Sequence, residues 1–231
     1  MGRLAGACRW LGLRSAEPLE GPVAVVSPHL DDGVLSLGAA IASARGDVTV
    51  VTVLAGDPES GLPAGDWDER SGFRTAGEAA DARRAEDRLA CRDLGAEPVW
   101  LPFADHQYPR GGGDDEIWER LTEALGGAET VLVPGYPLMH EDHVWLAALV
   151  RKRGLPGRRV GRYVEQPYAA AWTPGPDGWT PLGASARQRL AKLRACRRYS
   201  SQLPLLNEQG ATLSRVTRYE GARGGECVSW D

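Results

Sequence analysis

Short apolar runs alternate with helix-like segments along this chain, and that alternation constrains its fold more than any other feature. The runs at 23–27 and 48–55 are rich in β-branched residues, which is typical of strands buried in a parallel sheet. Between them, 33–45 has small apolar residues at helical spacing, and the charged segment 76–94 ends at Gly95, a common helix stop. Further strands are predicted at 98–103, 130–133 and 159–166, and further helices at 114–125, 141–153 and 185–198.

Strands that alternate with helices predict an α/β fold, here a Rossmann-like, three-layer α/β/α arrangement around a mostly parallel sheet. At 231 residues the chain has the size of one such domain. We therefore expect a single domain over 1–231, with an N-terminal extension at 1–20 that can form a docked helix. A C-terminal strand and loop region is expected over 204–231, with its last strand at 212–219.

The charge and the apolar content argue against several classes of protein. The formal net charge is −4, so we expect no nucleic-acid partner and no binding to an anionic membrane surface. No stretch approaches the roughly 20 apolar residues of a transmembrane helix, and arginines interrupt the apolar residues at the N-terminus, unlike a signal peptide. We expect a cytoplasmic protein whose widely spaced cysteines stay reduced. These are Cys8, Cys91, Cys196 and Cys227.

Each of the four histidines in the chain comes just after a predicted strand. In an open parallel sheet, ligands bind beyond the carboxyl ends of the strands, so we expect all four at one edge. His29 follows the first strand and stands three residues before Asp32, so one turn can direct both side chains at one point. His106 follows the third strand, and His140 and His143 follow the fourth.

Two imidazoles and a carboxylate, with other positions left to water, are typical of a catalytic zinc site. An open position is what metal-assisted hydrolysis requires. Each cluster alone also has a simpler explanation: Asp31 and Asp32 can cap the next helix, and Glu141 and Asp142 suit a first helical turn. Two such clusters on one sheet edge, in a chain with so few histidines, favour a metal site.

The two histidine clusters also resemble known motifs. The segment 27–38, SPHLDDGVLSLG, resembles the opening motif of the LmbE-like, or PIG-L, de-N-acetylase family. The sequence HEDH at 140–143 is similar to the family's second motif, which is usually His-Pro-Asp-His. Weaker similarities lie between them, and the resemblance covers about 22–165. The weaker segments are RAED at 84–87, LGA at 94–96 and LPFAD at 101–105.

The resemblance implies an LmbE-like fold and a zinc-type hydrolysis of an N-acetyl amide on an amino sugar or sugar-like molecule. The products would be acetate and a free amine. By motif, the metal ligands would be His29, Asp32 and His143, and Asp31 would be the general base that takes a proton from the attacking water. The cofactor would be Zn²⁺, or another divalent ion such as Fe²⁺, Co²⁺ or Mn²⁺.

The same resemblance makes His140 the charged partner of the developing oxyanion and Asp142 the carboxylate that orients His140. Asp31 or His140 would then protonate the leaving amine. Two positions depart from the family pattern. Glu141 replaces the usual proline, which changes only the start of the helix. Leu138 stands where some members have a tyrosine, and Tyr136 is out of register for that role.

Five further residues are candidates for binding the substrate. Asp105 and His106 follow the third strand, so they can contact sugar hydroxyls, although His106 can equally just cover the loop. Arg84 can reach the substrate or pair with nearby acidic residues on the surface. Trp67 and Trp172 lie in glycine- and proline-rich loops that can form lids. Their flat faces suit sugars, but such tryptophans also anchor loops.

The leading hypothesis is an N-deacetylase that acts on an N-acetylated sugar or glycoconjugate, for example a natural-product intermediate. Relatives that cleave thiol conjugates leave an amidase on a thiol or sugar conjugate as an alternative. A non-haem Fe(II) oxygenase also uses two histidines and a carboxylate, but its usual scaffold is a β-barrel. A phosphatase fits less well, because His29 stands where its nucleophilic aspartate belongs. A sugar-binding domain without catalysis is the non-enzymatic alternative.

Overall fold

The computed structural model describes residues 18–231, where seven strands form one sheet in the order β3-β2-β1-β4-β5-β7-β6. The docked helix expected within 1–20 falls almost wholly outside this range. The strands are β1 Val23–Ser27, β2 Val48–Thr52, β3 Glu97–Trp100, β4 Thr130–Tyr136, β5 Arg159–Val164, β6 Thr180–Pro181 and β7 Cys227–Trp230. The helices are α1 Asp32–Ser43, α2 Asp66–Arg70, α3 Ala76–Leu94, α4 Asp114–Ala124, α5 Glu141–Arg153, α6 Tyr168–Trp172, α7 Ala186–Cys196, α8 Leu203–Glu208 and α9 Leu213–Arg223.

Strands β1 to β5 pair in parallel, and β7 is antiparallel to both β5 and β6. The mixed α/β fold with a mostly parallel sheet is therefore confirmed. The order of the strands reverses between β1 and β4, which lie side by side although β2 and β3 come between them in sequence. A crevice opens at such a switch point beyond the strand ends. The two histidine motifs follow these two strands, so the topology brings them together.

Helices cover the two faces of the sheet. Alternate residues of a strand point to opposite faces, so Val23 and Val25 of β1 lie in one apolar cluster, with residues of α1, α3 and α7. Ala24 and Val26 lie in the other cluster, with residues of α4 and α5. All five residues of β1 are buried. The three-layer arrangement follows, and it explains why the strand is a continuous apolar run.

Capping residues and a terminal glycine set the ends of the helices that the sequence predicts most clearly. Helix α3 begins after Thr75, whose side chain accepts a hydrogen bond from the Glu78 backbone N–H, and ends at Gly95 in the left-handed region, φ 76°. Its bounds are those predicted. Helix α7 begins with a reciprocal capping box between Ser185 and Gln188.

The strand predicted at 212–219 is wrong, because Leu213–Arg223 is helix α9 and the last strand is β7. β-branched residues suggested the strand. Thr212 instead caps the helix, since its hydroxyl accepts from the Arg215 backbone N–H at 3.3 Å. Val216 is the buried residue of α9, and Gly224 ends it with φ 84°. The loops predicted around Trp67 and Trp172 also contain short elements, which are α2, α6 and β6.

A buried ion cluster joins α1 to the C-terminal part of the chain. Lys192 Nζ lies 2.6 Å from Glu226 Oε1 and 2.5 Å from Glu220 Oε1. The Glu226 carboxylate also accepts hydrogen bonds from the backbone N–H groups of Ala39 and Ala40, at 2.9 and 2.7 Å, in the middle of α1. Burial lowers the pKa of Lys192, but the two carboxylates raise it by more. Burial raises the pKa of Glu220 to about 7, although Lys192 opposes this.

Within residues 18–231, no helix combines the length and the apolar character needed to cross a bilayer.

Candidate metal centre and active site

The turn after β1 holds the first two candidate ligands in place. The Ser27 hydroxyl donates to the His29 carbonyl at 2.6 Å and accepts from the Gly33 backbone N–H at 2.9 Å. A Cβ at Gly33 would lie 3.2 Å from Ser27 Cβ, so the side chain at 33 must be small. The backbone N–H of His29 donates to Asp32 Oδ2 at 2.9 Å. The turn therefore fixes His29 and Asp32 relative to each other before any other element contributes.

The structure brings His29, Asp32 and His143 together, and we call this set the inner triad. Asp32 Oδ2 lies 3.1 Å from His29 Nδ1 and 3.1 Å from His143 Nε2, and these two nitrogens are 3.2 Å apart. A tetrahedral ion with bonds of about 2.0–2.1 Å separates its ligand atoms by roughly 3.3 Å. The donor set and its spacing therefore fit a divalent transition-metal ion. Asp32 and His143 are buried, whereas His29 is partly exposed.

The charges around the inner triad favour a positive charge between its three ligand atoms. Burial alone would raise the pKa of Asp32, yet the two imidazoles hold it well below its usual range. Burial lowers the pKa of His143, but Asp32 and Glu165 raise it by more, to about 9. The pKa of His29 is also raised, because Asp142 and Asp32 outweigh the effect of burial.

Glu165 supports the inner triad. Sequence reasoning does not single it out, because it lies inside the predicted strand at 159–166. It is buried directly after β5, and its Oε1 lies 2.6 Å from His143 Nδ1. Its other oxygen accepts from the backbone N–H of Leu138 at 2.9 Å, a residue held in the left-handed region with φ 55°. A carboxylate behind a ligating histidine fixes the ring and makes it a better ligand.

Asp142 does not orient His140 in the expected way. Its Oδ2 lies 3.0 Å from His29 Nε2, and its Oδ1 lies 2.5 Å from an Arg110 guanidinium nitrogen. The distance from Oδ2 to His140 Nδ1 is 3.8 Å, too long for a hydrogen bond. Instead, the backbone N–H of Asp142 donates to His140 Nδ1 at 3.2 Å. Asp142 therefore contacts the back of His29 and is held by Arg110, which stacks 3.9 Å from the Trp145 ring.

His140 is expected as a charged partner of the oxyanion, but its surroundings favour the neutral ring. Burial lowers its pKa to about 4, and the positive charges of His29 and His143 act in the same direction. Because Nδ1 accepts a hydrogen bond, the neutral ring carries its hydrogen on Nε2. His140 can thus donate a hydrogen bond without carrying a charge.

Asp31 lies beside the inner triad on the wall of a cavity of about 340 Å³. Burial raises the pKa of its carboxyl group well above the usual value, the charge of Asp32 raises it further, and Arg83 partly opposes both. A carboxyl group with a raised pKa is suited to both accepting and returning a proton near neutral pH.

The cavity contains three of the five candidate substrate-binding residues. Trp67, Asp105 and His106 line it. Arg84 does not, because its Nε donates to the Ala55 carbonyl at 2.8 Å and thereby ties α3 to the segment after β2. Trp172 is also absent from the lining, and it packs on Tyr168 with ring centroids 5.8 Å apart.

Known proteins are similar to this chain in sequence and in fold. The family model described as PIG-L, GlcNAc-PI de-N-acetylase, matches residues 24–153. The chain belongs to the PIG-L family. No curated protein matches this PIG-L chain by sequence.

Two solved deacetylases resemble the PIG-L chain in structure. The A40926 pseudoaglycone deacetylase Dbv21 is 27% identical, with a TM-score of 0.71 over 90% of this chain and 95% of its own. A triple mutant of the deacetylase Orf2*, from the teicoplanin biosynthetic pathway, is 26% identical with the same TM-score, over 90% of this chain and 96% of its own. The 4-carboxy-2-hydroxymuconate hydratase of Pseudomonas putida KT2440 is 20% identical with a TM-score of 0.62, over 91% and 95%. The fold alone therefore does not decide the reaction.

The wall of the cavity also includes residues that the sequence did not single out. Arg83, next to the expected Arg84, lines the cavity and forms an ion pair with buried Asp68. The Tyr108 hydroxyl donates to Asp68 at 2.6 Å. Helical spacing could have distinguished Arg83 from Arg84 only if the orientation of α3 on the sheet were known. Gln202, which accepts from Trp67 Nε1 at 2.8 Å, lies beyond the segment that defines the PIG-L match.

Proposed function

We propose that this chain is a divalent-metal-dependent N-deacetylase. It hydrolyses an N-acetyl amide on an amino sugar or a sugar-containing conjugate and releases acetate and a free amine. The observation that carries the proposal is the inner triad, with ligand atoms 3.1 to 3.2 Å apart beside Asp31 at the cavity wall. Zn²⁺ suits two imidazoles and a carboxylate, and Fe²⁺, Co²⁺ or Mn²⁺ are alternatives.

The inner triad would hold the cation, which when bound supplies Lewis acidity for an amide carbonyl and for water at neutral pH. Asp31 accepts the proton of the attacking water. Its raised pKa then lets it return this proton to the nitrogen of the leaving amine, which cannot depart as an anion. Asp31 therefore acts first as a general base and then as a general acid.

His140 stabilises the negative charge that develops on the carbonyl oxygen, through the hydrogen on its Nε2. A donor of this kind contributes about 10²- to 10³-fold to turnover. Asp142 acts on the reaction through His29, because its Oδ2 contacts His29 Nε2 and so sets the orientation of that ring.

The cavity wall outside the inner triad binds the sugar part of the substrate. Trp67 offers a flat apolar face, and Asp105 and Arg83 offer groups that hydrogen-bond to hydroxyls. Two deacetylases that resemble this chain at more than 25% identity act, by their names, on A40926 pseudoaglycone and in teicoplanin biosynthesis. Their similarity supports a sugar-bearing natural-product intermediate as the substrate of this chain.

The test is the variant Asp31→Asn in a free-amine assay across N-acetylglucosamine, glycolipid, glycopeptide and thiol-conjugate substrates. We expect turnover to fall by about 10²- to 10⁴-fold, since general acid–base catalysis is lost, while metal analysis finds the content of wild type. The matched control is Asp47→Asn, an exposed aspartate before β2 at the opposite edge of the sheet.

Normal turnover in Asp31→Asn would contradict the assigned mechanism. Release of amine from the thiol conjugates alone would replace the amino-sugar substrate with a thiol-conjugate amide. Oxygen consumption with Fe(II) and an oxo-acid, without release of amine, would indicate the oxygenase instead.

A further inference from the structure

A second group of possible metal ligands lies directly behind the inner triad. His106, His140 and Asp142, together with His29 Nε2, form what we call the outer cluster. Each of the four residues offers one ligand atom, and these atoms all lie within 4.8 Å of one another. His29 belongs to both groups, because its Nδ1 faces Asp32 and its Nε2 faces Asp142.

The carboxylate of Asp142 organises the outer cluster. Its Oδ2 lies 3.0 Å from His29 Nε2, 3.2 Å from His106 Nδ1 and 3.8 Å from His140 Nδ1. Arg110 occupies only the other oxygen, Oδ1. Oδ2 also accepts from the His106 backbone N–H at 3.2 Å. It thus faces three imidazoles at 3.0 to 3.8 Å, a range that brackets the roughly 3.3 Å between ligand atoms in a tetrahedral zinc site.

Solvent can reach the outer cluster although its carboxylate is buried. The side chain of His106 is 39% exposed and that of His140 26% exposed, whereas that of Asp142 is fully buried. The rings of His106 and His140 meet edge to face, with centroids 4.7 Å apart. A cation can thus enter from the exposed side and meet a fixed carboxylate behind the two rings.

We infer that the outer cluster is a second binding site for a transition-metal ion, such as Zn²⁺, next to the inner triad. Imidazole ligands select ions of this class over Mg²⁺ or Ca²⁺. The ion takes the place of any hydrogen that a ring nitrogen shares with Asp142 Oδ2, and each such hydrogen leaves to the solvent as a proton. When both sites are filled, the His29 ring lies between two cations.

Binding at the outer cluster also regulates the reaction, a consequence that rests on the proposed function. The second ion replaces the direct contact between Asp142 Oδ2 and His29 Nε2. It also takes the lone pair of His140 Nδ1, which accepts from the Asp142 backbone N–H in its absence. The contacts that orient the two rings for the reaction are thereby lost. Excess metal therefore inhibits turnover, whereas one equivalent supports it.

The experiment counts metal ions before it measures activity. Native mass spectrometry and titration calorimetry with Zn²⁺ alone are carried out on the metal-stripped full chain, on His106→Ala and on Glu141→Gln. His106 is an exposed loop residue, so its removal leaves the core intact. Glu141 is the exposed carboxylate between His140 and Asp142, and it is outside the ligand set, so it is the matched control.

We expect two equivalents of Zn²⁺ in wild type and in Glu141→Gln, and one equivalent in His106→Ala. Inhibition by excess Zn²⁺, relative to the activity of each protein at one equivalent, should disappear only in His106→Ala. A single equivalent in wild type, or a second equivalent that persists in His106→Ala, would overturn the inference. The metal count stands whether or not amine is released, so failure of the outer site and failure of the proposed reaction give different results.

Discussion

Glu165 accepts hydrogen bonds from both a candidate metal ligand and the loop that carries the second histidine motif. Its Oε1 contacts His143, and its Oε2 accepts from the backbone N–H of Leu138. One buried carboxylate therefore fixes the tautomer of His143 and the path of the chain that leads to it. We expect this residue to determine how tightly the inner triad binds its ion.

Glu165→Gln should lower the affinity of the inner triad for Zn²⁺ by about 10- to 100-fold, the usual effect of removing a carboxylate behind a ligating histidine. The neutral amide keeps an acceptor for Leu138, so the loop is retained. Competition with a coloured chelator measures the affinity, and Glu141→Gln is the control on an exposed carboxylate nearby. An unchanged affinity in Glu165→Gln would show that the carboxylate has no effect on the ligand.

At this scale, the sequence predicted residue identities better than contacts. His29, Asp32 and His143 converge as predicted, because a turn and two adjacent strand ends place them. Arg84 does not line the cavity, and the Asp142 carboxylate contacts His29 and not His140. The rotation of α3 about its axis decides whether position 83 or position 84 faces the cavity. The packing of two neighbouring rings decides which of them Asp142 contacts. The sequence contains no information about either arrangement.

Among the elements, α1 depends on a charge supplied from far along the chain. Lys192 is buried against α1 and balances the carboxylates of Glu220 and Glu226. Gly38 of α1 makes room for it, because a Cβ there would lie 2.8 Å from Lys192 Cγ. The helix that begins at Asp32 thus has a buried ion pair against its second half.

Lys192→Met should lower the free energy of unfolding by about 3–5 kcal/mol, since a buried carboxylate pair loses its counter-charge while most of the side-chain volume is kept. Urea unfolding followed by circular dichroism measures the change. The other lysine of the chain, Lys152, is exposed on α5, so Lys152→Met is the matched control and should change stability little. Equal stability of the two variants would mean that the ion pair contributes nothing.

The same cluster should make stability depend on pH. The folded-state pKa of Glu220, about 7, lies above the usual 4.5. The contribution of Glu220 to stability is therefore complete at pH values below its unfolded-state pKa. It is lost as the pH rises through about 7. We therefore expect the unfolding free energy of wild type, relative to that of Glu220→Gln, to decrease as the pH is raised from 4.5 to about 7. Parallel pH profiles for the two proteins would contradict this.

Prediction of elements succeeded where spacing and caps agreed. Helix α3 has the predicted bounds, because Thr75 and Gly95 mark its ends. The segment 212–219 failed because β-branched composition and helical capping conflicted there, and tertiary burial of Val216 decided the outcome. The short elements α2 and α6 were predicted as loops, since five residues are too few for a periodic pattern.

In the whole molecule, the inner triad joins distant parts of the chain across the switch point of the sheet. His29 and Asp32 come from the connection between β1 and α1, and His143 comes from α5. The parallel sheet and its layers were predictable because alternation and strand topology determine them. The residues of the cavity wall were not predictable from the sequence, because they depend on how α3, α8 and their loops pack.

Removal of the metal should therefore destabilise the folded state as a whole. At a free Zn²⁺ concentration of about 100 times the Kd, binding contributes about 2.7 kcal/mol. For a chain of this size that corresponds to a Tm shift of roughly 5–11 °C. Differential scanning fluorimetry with and without a chelator measures the shift. The Tm shift of Asp32→Asn should be clearly smaller. A Tm shift of full size in that variant would mean that the stabilising ion binds outside the inner triad.

The hydrogen bond from Ala39 to Glu226 spans 187 positions in the sequence. A helix near the start of the chain therefore cannot reach its final shape from local interactions alone. Its second half must wait for a loop of nearly the whole domain to close, and contacts of high sequence separation slow folding. The rate of refolding should accordingly be limited by the arrival of the segment that carries Glu226 into β7, long after the strands at the centre of the sheet have paired.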